Sequence, residues 1–232
     1  MIYITLSAIP SRQEYLMEVI DSLRNQSKNA DLIVLNVCKN YNRFPNEEFN
    51  TQPFENIPNL YVNFVEDNGP STKIMGFMET FSSKISHDDT IIIVDDDIIY
   101  DKELVNSLCI KEMDVVTFNY FDNLTNEYVT SYNREPIYPC LPGYLGYSFK
   151  GKFAKDLYNF FKHVISEYPS VKLHDDAIVT RFMRKKQANI SWISKIDISF
   201  TKGSSHTDRN SLLRQIGCDV LKKGIVQFLN IK

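Results

Sequence analysis

Three consecutive aspartates, Asp95 to Asp97, interrupt an apolar stretch of the sequence that reads TIIIVDDDIIY. Adjacent like charges repel one another, and Ile98 returns the chain to apolar residues at once. Carboxylates at the carboxyl end of a buried strand are good oxygen ligands for Mg²⁺ or Mn²⁺, so the triplet indicates a metal or phosphate site. Strand alternation would direct Asp95 and Asp97 to one side and Asp96 to the other. A solvated acidic turn is the alternative, because aspartate is common in turns.

A second polar cluster surrounds a predicted helix start, in the segment EDNGPSTK that ends at Lys73. Pro70 suits the first turn of a helix, whereas the helix dipole disfavours a lysine there. Lys73 is therefore either an exposed side chain that tolerates a small cost or a group that holds a nucleotide beside the helix N-terminus. Asp67 either accepts a hydrogen bond from a nucleobase or braces the turn. Arg12, after the first strand, either reaches the base or phosphates or braces its own turn.

The third cluster is an acidic pair, Asp175 and Asp176, in the segment LHDDAIVTRF. Both lie at the predicted start of a helix, where acids can cap the helix and stabilise its dipole. Adjacent helical positions point about 100° apart, so only one of the two can face a ligand.

Strand and helix patterns alternate in the elements that must position these residues. The first part predicts a β-α-β-α-β order and a mainly parallel sheet. The second part is more mixed, with a predicted hairpin and one long strand, ISWISKIDISF. Helices are predicted at 12–26, after NGPSTK, at 102–111, at 152–167 and over LHDDAIVTRFMRKKQ. Strands are predicted at 2–6 and in DLIVLNV, LYVNFV, TIIIV, DVVTFNYF and EYVTSY.

Composition excludes several classes of protein. The chain has 232 residues, 43% of them hydrophobic and 24% charged, as in an ordinary soluble globular protein. A net charge of −3 argues against broad nucleic-acid binding, which requires a basic face. No apolar run is long enough to span a bilayer, and the N-terminus lacks the features of a signal peptide. The four cysteines form no CxxC pair, so a zinc ribbon or redox motif is not expected. We therefore expect a cytoplasmic protein.

Several motifs, taken in their order along the chain, resemble the glycosyltransferases of the GT-A fold. They are IPSR, a helix that ends in SLRNQ, EDNGPSTK, the aspartate triplet and the later acidic pair. The triplet resembles the DXD motif of that group. IPSR and GPSTK look most like a small subgroup found in bacteria and in large DNA viruses of algae, where such domains build capsid glycans. The resemblance covers most of the chain, from Ile2 to about Asp208.

The resemblance implies an α/β GT-A fold, with a mainly parallel sheet between helices and a smaller mixed sheet on the acceptor side. One domain would span 1–232, with the nucleotide-sugar half at 1–100 and the acceptor half at 101–232. Asp95 would hold the ribose, directly or through the metal, and Asp97 would bind Mn²⁺ or Mg²⁺, with Asp96 as a helper. His206, in GSSHTDR, would complete the metal shell or is simply a surface histidine. Lys73, Arg12 and Asp67 would contact the nucleotide.

The activity implied is transfer of a sugar from a nucleotide-sugar donor, with UDP favoured over GDP, to a glycan or other hydroxyl acceptor. Inversion requires a base that takes the proton of the attacking hydroxyl. The resemblance implies that the second acid of the pair, Asp176, is the base, and Asp175 is the second candidate. The alternatives are a nucleotidyltransferase that makes a nucleotide-sugar and a non-catalytic nucleotide- or glycan-binding domain. A glycine-rich loop after the first strand would favour the nucleotidyltransferase, and SAIPSRQ has no glycine.

Overall fold

Strands and helices alternate along the chain in the computed structural model, which describes residues 1–122, 127–129, 141–194, 196–204 and 228. The helices are α1 (Gln13–Arg24), α2 (Thr72–Phe81), α3 (Leu104–Leu108), α4 (Ala154–Glu167) and α5 (Asp175–Lys185). The strands are β1 (Ile2–Ser7), β2 (Leu32–Cys38), β3 (Leu60–Val65), β4 (Thr90–Ile93), β5 (Ile98–Tyr100), β6 (Val115–Phe118), β7 (Tyr120–Asp122), β8 (Glu127–Val129), β9 (Tyr147–Lys150), β10 (Ile190–Ile193) and β11 (Ile198–Phe200).

A seven-stranded sheet with the order β10-β6-β9-β4-β1-β2-β3 forms the centre of the fold. Strands β1 to β4 run parallel, with Tyr3 opposite both Leu32 and Ile91. Strand β9 alone runs antiparallel to its neighbours in this sheet, β4 and β6. Two small antiparallel sheets, β11-β5 and β7-β8, lie beside it. The sheet draws strands from both 1–100 and 101–232.

The two faces of the sheet are covered by separate hydrophobic cores. Ile91 and Ile93 belong to the core with residues of α2, α4 and α5, whereas Ile92 and Val94 belong to the core with residues of α1, α3 and β2. All four side chains are fully buried. This explains why β4 is a continuous apolar run: a central strand that is covered on both faces has no polar side.

Four sequence-based expectations differ from the structure. DVVTFNYF, expected as one strand, is divided between β6 and β7, which belong to different sheets. The aspartate triplet lies in the turn between β4 and β5, not in the strand, so strand alternation does not apply to it. ISWISKIDISF forms two strands in different sheets, β10 and β11. The helix expected at 102–111 is only Leu104–Leu108. Among the described residues, no helix is both long and apolar enough to cross a membrane.

Candidate functional site

A cavity of about 680 Å³ opens where β1 and β4 end, and all three polar clusters from the sequence contribute to its wall. Ser7 and Asp95 line it from these strand ends, and Lys73 lines it from the first turn of α2. Parallel strands end at the same edge of a sheet, so segments far apart in sequence meet there. Its aspartates are Asp67, Asp95, Asp96, Asp97, Asp175 and Asp176, and its basic residues are Arg12, Arg43 and Lys73.

The aspartate triplet is divided between two cations. The Arg12 guanidinium donates a short hydrogen bond to Asp96 and lies 3.4 Å from an oxygen of Asp97. Asp95 instead accepts a 2.6 Å hydrogen bond from the Lys73 ammonium. Burial would lower the pKa of Arg12, but Asp96 and Asp97 outweigh this and raise it. Asp96 and Asp97 therefore share Arg12 as an ion-pair partner. Strand alternation would instead have placed Asp95 and Asp97 on the same side.

Lys73 connects the triplet to the acidic pair. Its ammonium group lies 2.6 Å from Asp95 and 3.0 Å from Asp175, and its side chain is 7% exposed. Burial would lower the pKa of Lys73, but Asp175 and Asp95 outweigh it and raise the pKa well above its ordinary value. Lys73 is therefore a fixed positive charge between two carboxylates, not the exposed side chain that was one of the two sequence-based readings.

Asp176 has different surroundings from Asp175, although the two are adjacent at the start of α5. Its Oδ2 accepts a 3.0 Å hydrogen bond from the backbone N–H of Gly143, and its buried Oδ1 has no hydrogen-bond partner among the described residues. Burial, and then the charge of Asp175, raise the pKa of Asp176 well above its ordinary value. Neither acid is the N-cap of α5; that position belongs to His174, which makes no side-chain capping bond.

Gly143 allows the backbone to approach this carboxylate. A Cβ at this position would lie 2.7 Å from Asp176 Oδ1 and 3.3 Å from Lys73 Nζ. Gly146 directly follows the 3-10 turn Gly143–Leu145 and has φ +86°, a conformation that residues with a side chain disfavour. The glycines of LPGYLGY thus serve two purposes, close contact at Gly143 and turn geometry at Gly146.

A chain of buried polar side chains that binds backbone carbonyls of α2 was not anticipated from the sequence. Thr5 donates a 2.6 Å hydrogen bond to the carbonyl oxygen of Lys73. The Asn36 side chain donates a hydrogen bond of 2.8 Å to Thr5 Oγ1 and accepts one of 2.9 Å from the Asn63 side chain. Asn63 also donates a hydrogen bond to the carbonyl oxygen of Gly76. The chain ties α2 to three strands. The sequence indicates these contacts only by one polar residue within each apolar strand: Thr5 in YITLS, Asn36 in VLNVC and Asn63 in YVNFV.

Asp67 has well-defined backbone partners. Its carboxylate accepts hydrogen bonds of 2.8 Å from the Gly69 N–H and 2.7 Å from the Asn42 N–H. These bonds match the turn-bracing alternative, and Asp67 also lines the cavity. Its contact with a nucleobase stays a prediction.

The metal site expected from the sequence is only partly within the described residues. His206 lies outside them. Among those described, no group of three or more histidine, cysteine, aspartate or glutamate side chains could hold a metal ion. Asp95 and Asp97 offer carboxylate oxygens at the cavity. That donor set fits Mg²⁺ or Mn²⁺, because such ions often take one or two carboxylates and complete their shell with substrate phosphates and water.

The fold and cavity define an α/β protein of the GT-A type, the arrangement seen in nucleotide-sugar enzymes, so the fold predicted from the sequence is confirmed. Over 98% of this chain and 100% of the other, the structure is similar to the nucleoside-diphosphate-sugar pyrophosphorylase from Vibrio cholerae RC9, with a TM-score of 0.53 and 13% identity. S. aureus TarS 1–349 gives a TM-score of 0.53 at 16% identity over 99% of this chain and 70% of the other.

TarS 1–349 in complex with UDP gives a TM-score of 0.54 at the same identity and coverage. No protein-family model matches the sequence, and no curated protein matches it. At these identities the likeness establishes the fold, and function must be argued from the cavity.

Proposed function

We propose that this protein is a glycosyltransferase that moves a sugar from a nucleotide-sugar to a hydroxyl acceptor with inversion. The observation that carries the proposal is that one ammonium group, that of Lys73, pairs with both Asp95 and Asp175. The strand-end triplet and the acidic pair therefore border the same cavity. Sugar transfer requires one group for the leaving diphosphate and another for the acceptor proton, and the two clusters can supply them.

The charge of the cavity supports a requirement for a divalent cation. Six aspartates and three basic residues line it, so a diphosphate would meet an excess of negative charge. We propose that Asp95 and Asp97 hold Mn²⁺ or Mg²⁺, with His206 as a further ligand. When bound, the ion would stabilise negative charge on the leaving diphosphate. Arg12 holds Asp96 and Asp97 in position.

Asp176 is proposed as the base. The acceptor oxygen attacks the anomeric carbon, the bond from that carbon to the phosphate oxygen breaks with its electron pair, and the acceptor proton passes to Asp176. Asp176 lines the cavity, and its buried Oδ1 has no hydrogen-bond partner among the described residues, so this oxygen is the proposed acceptor of the proton. Asp175 is paired with Lys73, so its proposed role is to position that lysine.

The similarity to a nucleoside-diphosphate-sugar pyrophosphorylase keeps one alternative, a nucleotidyltransferase that joins a nucleoside triphosphate to a sugar phosphate. That reaction has no acceptor hydroxyl to deprotonate. It would leave the raised pKa of Asp176 and its unpartnered oxygen without a use. The cavity therefore favours transfer of the sugar.

Thermal unfolding with ligands tests the proposal. UDP or GDP together with Mn²⁺ should stabilise the protein more than either component alone, because only the folded state binds the pair. Asp97→Asn should lose the Mn²⁺-dependent part, whereas the exposed control Asp156→Asn should keep it. Metal-dependent hydrolysis of a nucleotide-sugar should accompany binding. Pyrophosphate release from a nucleoside triphosphate and a sugar phosphate would identify the alternative reaction instead.

A further inference from the structure

The cavity is lined by exposed aromatic side chains as well as by charged ones. The described residues include six large hydrophobic side chains with exposed surface: Met1, Tyr61, Phe64, Tyr144, Tyr168 and Phe200. Two of these six, Tyr144 at 38% exposed and Phe200 at 44%, line the cavity. Burying such exposed apolar surface against a ligand in the cavity is favourable.

Tyr144 is held beside the proposed base. It directly follows Gly143, whose N–H binds Asp176, and its own carbonyl accepts a 3.3 Å hydrogen bond from the Tyr100 hydroxyl. Burial, and then the charge of Asp176, raise the pKa of Tyr144, which agrees with a phenol close to that carboxylate. A ligand on this ring therefore lies next to Asp176.

Phe200 is anchored on the side of the aspartate triplet. It pairs with Ile98 in the β11-β5 sheet, and the N–H of Thr201 donates a 3.0 Å hydrogen bond to the carbonyl of Asp97. The two aromatic residues thus come from segments attached to the two acidic clusters. A ligand that touches both would extend across the reacting centre.

We propose that Tyr144, with Phe200, forms an acceptor subsite that takes the face of a carbohydrate ring. This inference rests on the proposed function and names the class of its acceptor. An aromatic ring has a negative face, which attracts the positively polarised C–H bonds on one face of a pyranose. The hydroxyls project from the edge of that sugar, where one of them can reach Asp176. An open-chain polyol lacks this flat C–H face and would gain little from the rings.

Saturation-transfer NMR with methyl pyranosides of glucose, galactose and N-acetylglucosamine tests the subsite on protein loaded with UDP or GDP and Mn²⁺. At least one pyranoside should receive saturation on the C–H protons of one ring face, and glycerol should not. Tyr144→Ala should weaken that binding about 5- to 10-fold, the usual scale of one aromatic contact, and Tyr144→Phe should retain it. The matched control is Tyr168→Ala, which removes a ring with 40% exposure that does not line the cavity.

The outcomes separate this inference from the proposed function. Absence of any Tyr144-dependent saturation, in protein that still binds the nucleoside diphosphate, overturns the acceptor subsite and leaves the transferase proposal standing. Loss of nucleoside diphosphate affinity in Tyr144→Ala also overturns it, because the ring would then hold the donor. Failure of the wild-type protein to bind any nucleoside diphosphate or nucleotide-sugar overturns the proposed function itself.

Discussion

At the scale of single residues, the two adjacent acids of α5 differ in their partners. Asp175 is ion-paired with Lys73, whereas Asp176 accepts a hydrogen bond from a backbone N–H. Each acid also has one buried oxygen without a hydrogen-bond partner among the described residues. The sequence could place both acids at a helix start, but it could not distinguish their environments. That difference depends on Gly143, which is 33 positions away in the chain. The sequence pattern therefore identifies both acids as candidate bases, and the choice between them depends on tertiary contacts.

The pH dependence of transfer should report on the acidic pair. The active base is the carboxylate, so the rate should fall as pH drops below the raised pKa of Asp176. The charged groups that face Asp176 are Asp175, Lys73 and Asp95, together with the neutral Tyr147. Asp175→Asn removes the largest charge that raises this pKa, so the acid limb of kcat should move to lower pH.

A pH profile of kcat for the wild type and Asp175→Asn checks this prediction, with Asp176→Asn as the companion variant. Asp176→Asn should reduce transfer roughly 10²-fold or more, as expected for the loss of a general base. If Asp175→Asn abolishes transfer and Asp176→Asn does not, the base is Asp175. If the acid limb of the kcat profile lies at the same pH in Asp175→Asn as in the wild type, the pKa of Asp176 does not determine it.

At the scale of elements, helix α2 is held by polar contacts from the sheet as well as by its apolar face. The helix and its core positions were predictable, because Ile74, Met78 and Phe81 recur at helical spacing and are buried. The contacts from Thr5 and Asn36 to the carbonyl of Lys73 were not predictable. A polar residue in an apolar strand does not reveal its partner until the helix is packed over it.

Asn36→Leu should lower the free energy of unfolding by about 1–3 kcal/mol, because it leaves the buried Asn63 and Thr5 groups short of partners. It should also weaken binding of the nucleoside diphosphate, since the helix that carries Lys73 loses part of its support. Urea denaturation and calorimetry check the two effects. The control Asn40→Leu changes an exposed asparagine of the same chain and should alter neither. If Asn36→Leu binds the nucleoside diphosphate with wild-type affinity, the chain of polar side chains contributes to stability and not to binding.

At the scale of the whole molecule, the strand order was only partly accessible from sequence. The alternating first part predicts parallel strands, and β1 to β4 confirm it. The placement of β9 between β4 and β6 was not predicted, because it depends on a pairing between segments about 55 residues apart. The two-strand split of ISWISKIDISF was missed for the same reason: periodicity does not show which sheet a strand joins.

Lys73 links the two halves of the chain, so Lys73→Met should affect global stability. Removing one partner of a buried ion pair typically costs about 3–5 kcal/mol, because the remaining charges are left uncompensated. The loss should be smaller at acid pH, where carboxylates become protonated. Urea denaturation at neutral and acid pH checks this. The control Lys186→Met breaks the exposed pair with Asp156 and should cost about 0–1 kcal/mol. Equal losses in both variants would show that the Lys73 bridge adds no stability of its own.

The position of β9 has a consequence for synthesis on the ribosome. Strands β1 to β4 are complete about 55 residues before β9, their missing neighbour, has been made. At about 5–20 residues per second, the apolar edge of β4 waits roughly 3–11 s for its partner. During that time an unpaired row of N–H and C=O groups beside Ile91, Ile92 and Ile93 is a template for pairing with another nascent chain. Yield of native protein should therefore depend on how well chaperones protect this interval.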